Sequence, residues 1–124
     1  MREYTILISD RNRNVREFLR REMESEGYTV LLARSAREVL NLIYNHEFID
    51  LVILDPELPD AEQVSVLEKI TDRIPSLPLI VHAFSPDYTK RPAVLSIANF
   101  VEKKGSSIEY LKKVVSELLS KSNP

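Results

Sequence analysis

Two aspartates, a histidine and two cations stand at the ends of short apolar runs in the chain. Asp10 and Arg11 follow Tyr4–Ile8, Asp55 follows Leu51–Leu54, His82 follows Leu79–Val81, and Lys103 follows Phe100–Val101. Carboxylates act as nucleophiles or as ligands of hard cations, an ammonium is a point charge for anions, and an imidazole changes charge near neutral pH. Each of these residues alone reads as a solvated loop charge. Five of them at equivalent places make a polar, charge-dense site, if the fold brings the ends of those runs to one edge.

The intervening segments supply such a fold. Val15, Phe18, Leu19 and Met23 lie at i, i+3, i+4 and i+8, one stripe of a helix, and Gly27 follows where a C-terminal cap needs positive φ. Ser35-Ala-Arg-Glu38 has capping-box spacing ahead of Val39, Leu40 and Ile43. Asp60 is placed to cap a third helix carrying Val64, Leu67 and Ile70. Ser106-Ser-Ile-Glu109 is a second capping box, before Ile108, Leu111, Val115 and Leu118. Residues 84–98 hold Pro86 and Pro92, so a helix there is expected to be short or displaced. Strand-helix alternation predicts a parallel sheet with helices on both faces, and the ligand sites of such sheets form beyond the carboxyl ends of strands.

Length and composition set the bounds. The 124 residues amount to one domain, read as residues 1–124, with the polar residues 120–124 as a frayed tail or linker stub. Apolar residues make up 44% and charged residues 29%, as in a globular protein. The formal charge of −2 argues against direct nucleic-acid binding and against a polybasic membrane anchor. Absence of cysteine excludes disulfides, thiolate zinc sites and thiol nucleophiles. The first 20 residues carry five arginines and two glutamates instead of a signal-peptide core, so the expected location is the cytoplasm. His46 reads as a helix-end residue, and the arginines of the first helix as a solvated face interleaved with glutamates. Tyr88 and Tyr110 form no aromatic–basic ladder for stacked nucleotides.

Four segments, in order, resemble the receiver domain of response regulators in two-component signalling, and together they cover nearly the whole chain. Ile6-Leu-Ile-Ser-Asp-Arg-Asn-Arg-Asn-Val-Arg-Glu-Phe-Leu19 is similar to the family's first strand, acidic pair and first helix. Leu51-Val-Ile-Leu-Asp-Pro-Glu-Leu-Pro-Asp60 resembles the phosphoacceptor segment, Leu77-Pro-Leu-Ile-Val-His-Ala83 the fourth strand, and Asn99-Phe-Val-Glu-Lys103 the segment ending in the family's lysine. The resemblance implies a flavodoxin-like, doubly wound five-stranded parallel sheet in the order 2-1-3-4-5. It implies Asp55 as phosphoacceptor for a partner histidine kinase or phosphotransfer protein, with Lys103 pairing with the phosphoryl group. Asp10, Asp55 and the Glu57 carbonyl would hold Mg²⁺, the amides of Glu57 and Ala83 would bind phosphoryl oxygens, and Phe100 would be the aromatic that swings on activation. The domain would signal by conformational change to a downstream protein or output domain, and would not itself be an enzyme.

The chain departs from the family pattern in several places. Arg11 replaces the second acid of the pair, so Mg²⁺ binding is expected to be weak or absent, with Arg11 either pairing with Asp55 in the metal's electrostatic role or facing solvent. His82 replaces the switch Ser or Thr, either donating to a phosphoryl group or filling the pocket. Lys104 stands where the family commonly has proline, and Ala61-Glu62 where it often has glycine. Pro56 suits the extended end of a strand at Asp55. These departures motivate an alternative, a pseudo-receiver working by protein–protein contact without phosphate. A flavin-binding flavodoxin is a remote third reading, because the loop after the first strand is Asp-Arg-Asn-Arg, with no glycine to wrap a phosphate.

Overall fold

The computed structural model describes residues 3–45, 48–61, 65–72, 77–84, 99–104 and 106–122. In order these form β1 (Thr5–Ser9), α1 (Arg13–Ser25), β2 (Thr29–Ala33), α2 (Ala36–Asn45), β3 (Leu51–Leu54), α3 (Val66–Thr71), β4 (Leu79–Ala83), β5 (Asn99–Glu102) and α4 (Ile108–Ser122). The sheet runs β2-β1-β3-β4-β5 and every pairing is parallel. This is the doubly wound, flavodoxin-like order expected.

Alternation along each strand divides the core. Leu7, Val52, Leu54 and Leu79 pack with Val39, Ile43, Val66 and Ile70 on the α2–α3 side. Ile6, Ile8, Leu51, Ile53 and Ile80 pack with Leu19, Met23, Leu111 and Val115 on the α1–α4 side. The central strands are buried on both faces, hence their unbroken apolar runs. Burying each such Leu or Ile contributes roughly 1.5–3 kcal/mol, and that anchoring fixes the strand ends to which the polar residues are attached.

Local chemistry sets the helix ends. The Asn12 side chain accepts from the Asn14 and Val15 amides and so starts α1. Gly27 takes φ +93°, as expected just beyond α1. At α2 the Ser35 hydroxyl accepts from the Glu38 amide at 3.1 Å, one half of the expected capping box.

Asp60 caps a different helix from the one expected. Its carboxylate accepts the Ala36 and Arg37 amides at 2.7 and 3.1 Å, so it closes the N-terminus of α2 from another loop. The helix that follows Asp60 begins only at Val66, after Ser65 in the left-handed region, and Val64 lies outside the described residues. Spacing along the chain points to the next helix and cannot reveal a cap delivered across space. Partial burial works against ionisation of Asp60, but the two amides and Arg37 outweigh it and hold the carboxyl below its usual range. Asp60→Ala should therefore cost about 1–2 kcal/mol, read as a lowered urea midpoint at neutral pH. An unchanged midpoint would remove the cap from the account.

α4 starts one residue later than its capping box suggested: the Ser107 carbonyl receives the Leu111 amide at 2.8 Å. The helix continues through Ser122, so residues 120–122 are helical. The helix expected within 84–98, with Pro86, Pro92 and Tyr88, lies outside the described residues beyond Phe84, as does His46.

Candidate functional site

The sheet brings four of its carboxyl ends to one edge. Asp10 and Arg11 leave β1, Asp55 leaves β3, His82 and Ala83 end β4, and Lys103 leaves β5. β1 lies between β2 and β3, so the connections leaving β1 and β3 part on either side of the crevice at this edge.

Asp55 is the centre of the arrangement and is 1% exposed. One carboxylate oxygen accepts the Glu57 amide at 2.9 Å, and the other accepts the Arg11 amide at 3.0 Å. The Lys103 ammonium lies 3.5 Å from that second oxygen and 2.6 Å from Asp10. Asp10 is equally buried, and its other oxygen accepts the Asn12 amide at 2.8 Å. One ammonium thus spans two carboxylates inside the protein, where removal of either sign leaves an uncompensated charge. Lys103 is held from its own backbone, whose amide donates to the Ala83 carbonyl at 2.8 Å, and its Nζ lies 5.4 Å from the centre of the Phe84 ring.

Three supporting residues escaped the sequence reading. The Ser9 hydroxyl donates to the Ile53 carbonyl at 3.1 Å and accepts the Asp55 amide at 3.2 Å, tying β1 to β3 directly beneath the carboxylate. The Arg16 guanidinium donates to the Asp10 carbonyl at 2.7 Å. Phe84 follows the expected fourth strand. Ser9 is the one that a polar residue inside an apolar run could have signalled. Arg16 looks like any other arginine of α1 in the sequence.

Of the two places expected for Arg11, its side chain takes the solvent-exposed one, where it meets Glu57. Its backbone, not its side chain, contacts Asp55, and its guanidinium is 2.8 Å from the Glu57 carboxylate. Arg11 and Glu57 therefore hold the two oxygens of Asp55 with their amides and meet each other through their side chains. That ion pair is about 40% exposed, so it contributes at most about 1 kcal/mol.

These residues do not fit a firmly held divalent cation. Magnesium needs near-octahedral oxygen donors at about 2.0–2.1 Å with a net attraction for two positive charges. Here the charges of Asp10 and Asp55 already face the Lys103 ammonium, and Arg11 adds a second cation beside Glu57. Among the described residues no group of three or more acids and histidines gathers around a common point.

His82 is 5% exposed on β4, where it lines a cleft of about 460 Å³ between α1 and α4. Val15, Phe18, Phe84, Ile108 and Leu111 form the apolar part of that cleft. Burial, reinforced by the nearby Lys103 charge and only partly opposed by Asp55, lowers the imidazole pKa to about 4. At neutral pH the ring is uncharged, and its Nδ1 has no hydrogen-bond partner among the described residues. Phe100 is half-buried against Val81 and Ala83, next to the site. Tyr110 is exposed on α4. No helix among the described residues is long and apolar enough to cross a membrane.

Comparison with known proteins agrees with this geometry. Response regulator MprA of Mycolicibacterium vanbaalenii is 36% identical over 90 residues, spanning 73% of this chain and 38% of that protein. The chain thus spans under two-fifths of the length of that relative. Among solved structures, response regulator protein TrrA of Thermotoga maritima, in complex with Mg²⁺-BeF, superposes with a TM-score of 0.84 at 28% identity, covering 93% of this chain and 98% of that one. A CheY-like receiver domain protein from Methanospirillum hungatei gives 0.85 at 28% identity over 97% of this chain and 96% of that one. The response regulator receiver domain family itself matches residues 6–115. With the parallel sheet in the order 2-1-3-4-5 and Asp10, Asp55 and Lys103 joined at its edge, the chain belongs to the response regulator receiver domains of two-component signalling.

Proposed function

We propose that this receiver accepts a phosphoryl group on Asp55 from the phosphohistidine of a histidine kinase or phosphotransfer protein. An Asp55 carboxylate oxygen attacks phosphorus, the bond from phosphorus to the donor nitrogen breaks, and the imidazole leaves with the electron pair. The observation that carries this reading is the ammonium of Lys103, 3.5 Å from the carboxylate oxygen and placed to offset the charge of an added phosphoryl group. The Glu57 amide, now on the other oxygen, is in position to follow the phosphoryl group. The Ala83 amide at the end of β4 is the second such donor. The domain acts as an acceptor that passes on a conformational signal, through Phe100, to a downstream protein or output domain in the cytoplasm, and not as an enzyme on a separate substrate. The apolar cleft beside α1, with Lys104 at its rim, suits the docking of a donor helix.

A second reading, a receiver that signals by contact without phosphate, is favoured by one observation: His82 offers no hydroxyl at the switch position and faces the apolar cleft. The two readings separate by intact mass after incubation with a small acyl phosphate. Gain of one phosphoryl group by the native chain and none by Asp55→Asn supports phosphoacceptance. No gain by either supports the contact reading.

A further inference from the structure

Asp55 is enclosed, so a phosphoryl group can be added only if something around it moves. The polar contacts of Asp55 are backbone amides and a buried ion pair. The contact between the side chains of Arg11 and Glu57 is, by contrast, an exposed pair that salt and water already weaken. Both side chains spring from residues whose amides touch Asp55, which sets the guanidinium within a side chain's reach of anything built on that carboxylate. A phosphoryl dianion there repels the Glu57 carboxylate and presents oxygens that a planar guanidinium can bind in bidentate fashion. The donor set, meanwhile, does not suit a divalent cation.

We propose that Arg11 is the mobile cation of this site: it leaves Glu57 for the phosphoryl group on Asp55, and it makes phosphoacceptance independent of a divalent metal. The inference rests on the phosphoacceptor reading. Glu57 is then the arm that holds Arg11 in the resting state and releases it when the group arrives.

The test follows labelling by acetyl phosphate through intact mass, in excess chelator and in Mg²⁺. In this reaction Asp55 bonds to phosphorus, the bond from phosphorus to the acetate oxygen breaks, and acetate leaves. The native chain should label at equal rates in both conditions. Arg11→Gln should label roughly tenfold more slowly in chelator, the loss of one charge-assisted contact at a partly exposed site. Arg11→Lys should recover part of that loss, and Glu57→Gln, which frees the guanidinium, should label faster than the native chain. Arg11→Asp should label only with Mg²⁺. Both side chains are exposed, so these variants are expected to fold, and circular dichroism checks it. If the native chain labels only with Mg²⁺, or Arg11→Gln keeps the native rate in chelator, the arginine inference falls and phosphoacceptance stands. If the native chain labels in neither condition, both fall.

Discussion

Replacing Lys103 with methionine should cost about 3–5 kcal/mol of stability at pH 7, the range for breaking a buried ion pair from one side. The ammonium is the shared partner of Asp10 and Asp55, both 1% exposed. Without it, two carboxylates remain close together in a poorly solvated place. The protein can respond by binding one proton. Protonating an ordinary aspartate at pH 7 costs about 4 kcal/mol, so that route caps the loss near the upper end of the range. The same route makes the loss depend on pH: the variant should regain stability relative to the native chain as pH falls towards 5, because the proton becomes cheaper to bind. Asp10→Asn in the same chain should recover a large part of the deficit, since one carboxylate then remains where two did. Urea unfolding of the single and double variants measures all three effects. A loss under about 1 kcal/mol, without pH dependence, would contradict the buried pairing.

The second large effect comes from His82. Its pKa is about 4 in the folded protein, against 6.5 for an ordinary histidine. Between those values the unfolded chain binds the proton and the folded chain does not, so stability increases with pH across this window. The contribution of His82 is complete above about pH 6.5 and is lost progressively as the pH falls to about 4. The gap corresponds to about 3 kcal/mol. Asp60, whose carboxyl is held below its usual range, loses its contribution only further down the pH scale, so the two do not overlap much. Urea midpoints between pH 7.5 and 4.5 should therefore fall for the native chain and fall much less for His82→Gln. Parallel curves for the two proteins would show that the ring is not held neutral.

The parts of this molecule that were legible in the sequence are those governed by local periodicity. Ile6–Ile8 and Val52–Leu54 could be read as central strands because burial on both faces leaves no polar alternation. Asp10, Asp55 and Lys103 could be found because residues directly after parallel strands share one edge whatever the details of packing. Relations carried by side chains over long separations were hidden. Asp60 caps a helix 24 residues before it, and Ser9 ties together strands 44 residues apart. Arg11 shows the limit most clearly. Its type announced a change in the site's charge, but its choice of Glu57 over Asp55 depends on the path of two loops. Both residues sit on loops whose amides are already committed to Asp55, which leaves their exposed side chains to find each other.

The central claim is that the Asp55 carboxylate is the group that becomes phosphorylated. The most direct measurement treats the native chain with acetyl phosphate, reduces the acyl phosphate with borohydride, and locates the modified residue by peptide mass spectrometry. A single reduced position is expected, Asp55, within the peptide carrying Leu51–Leu54, with the mark absent from Asp55→Asn. A mark on Asp10, or a phosphoryl group that survives alkali and maps to His82, would contradict it.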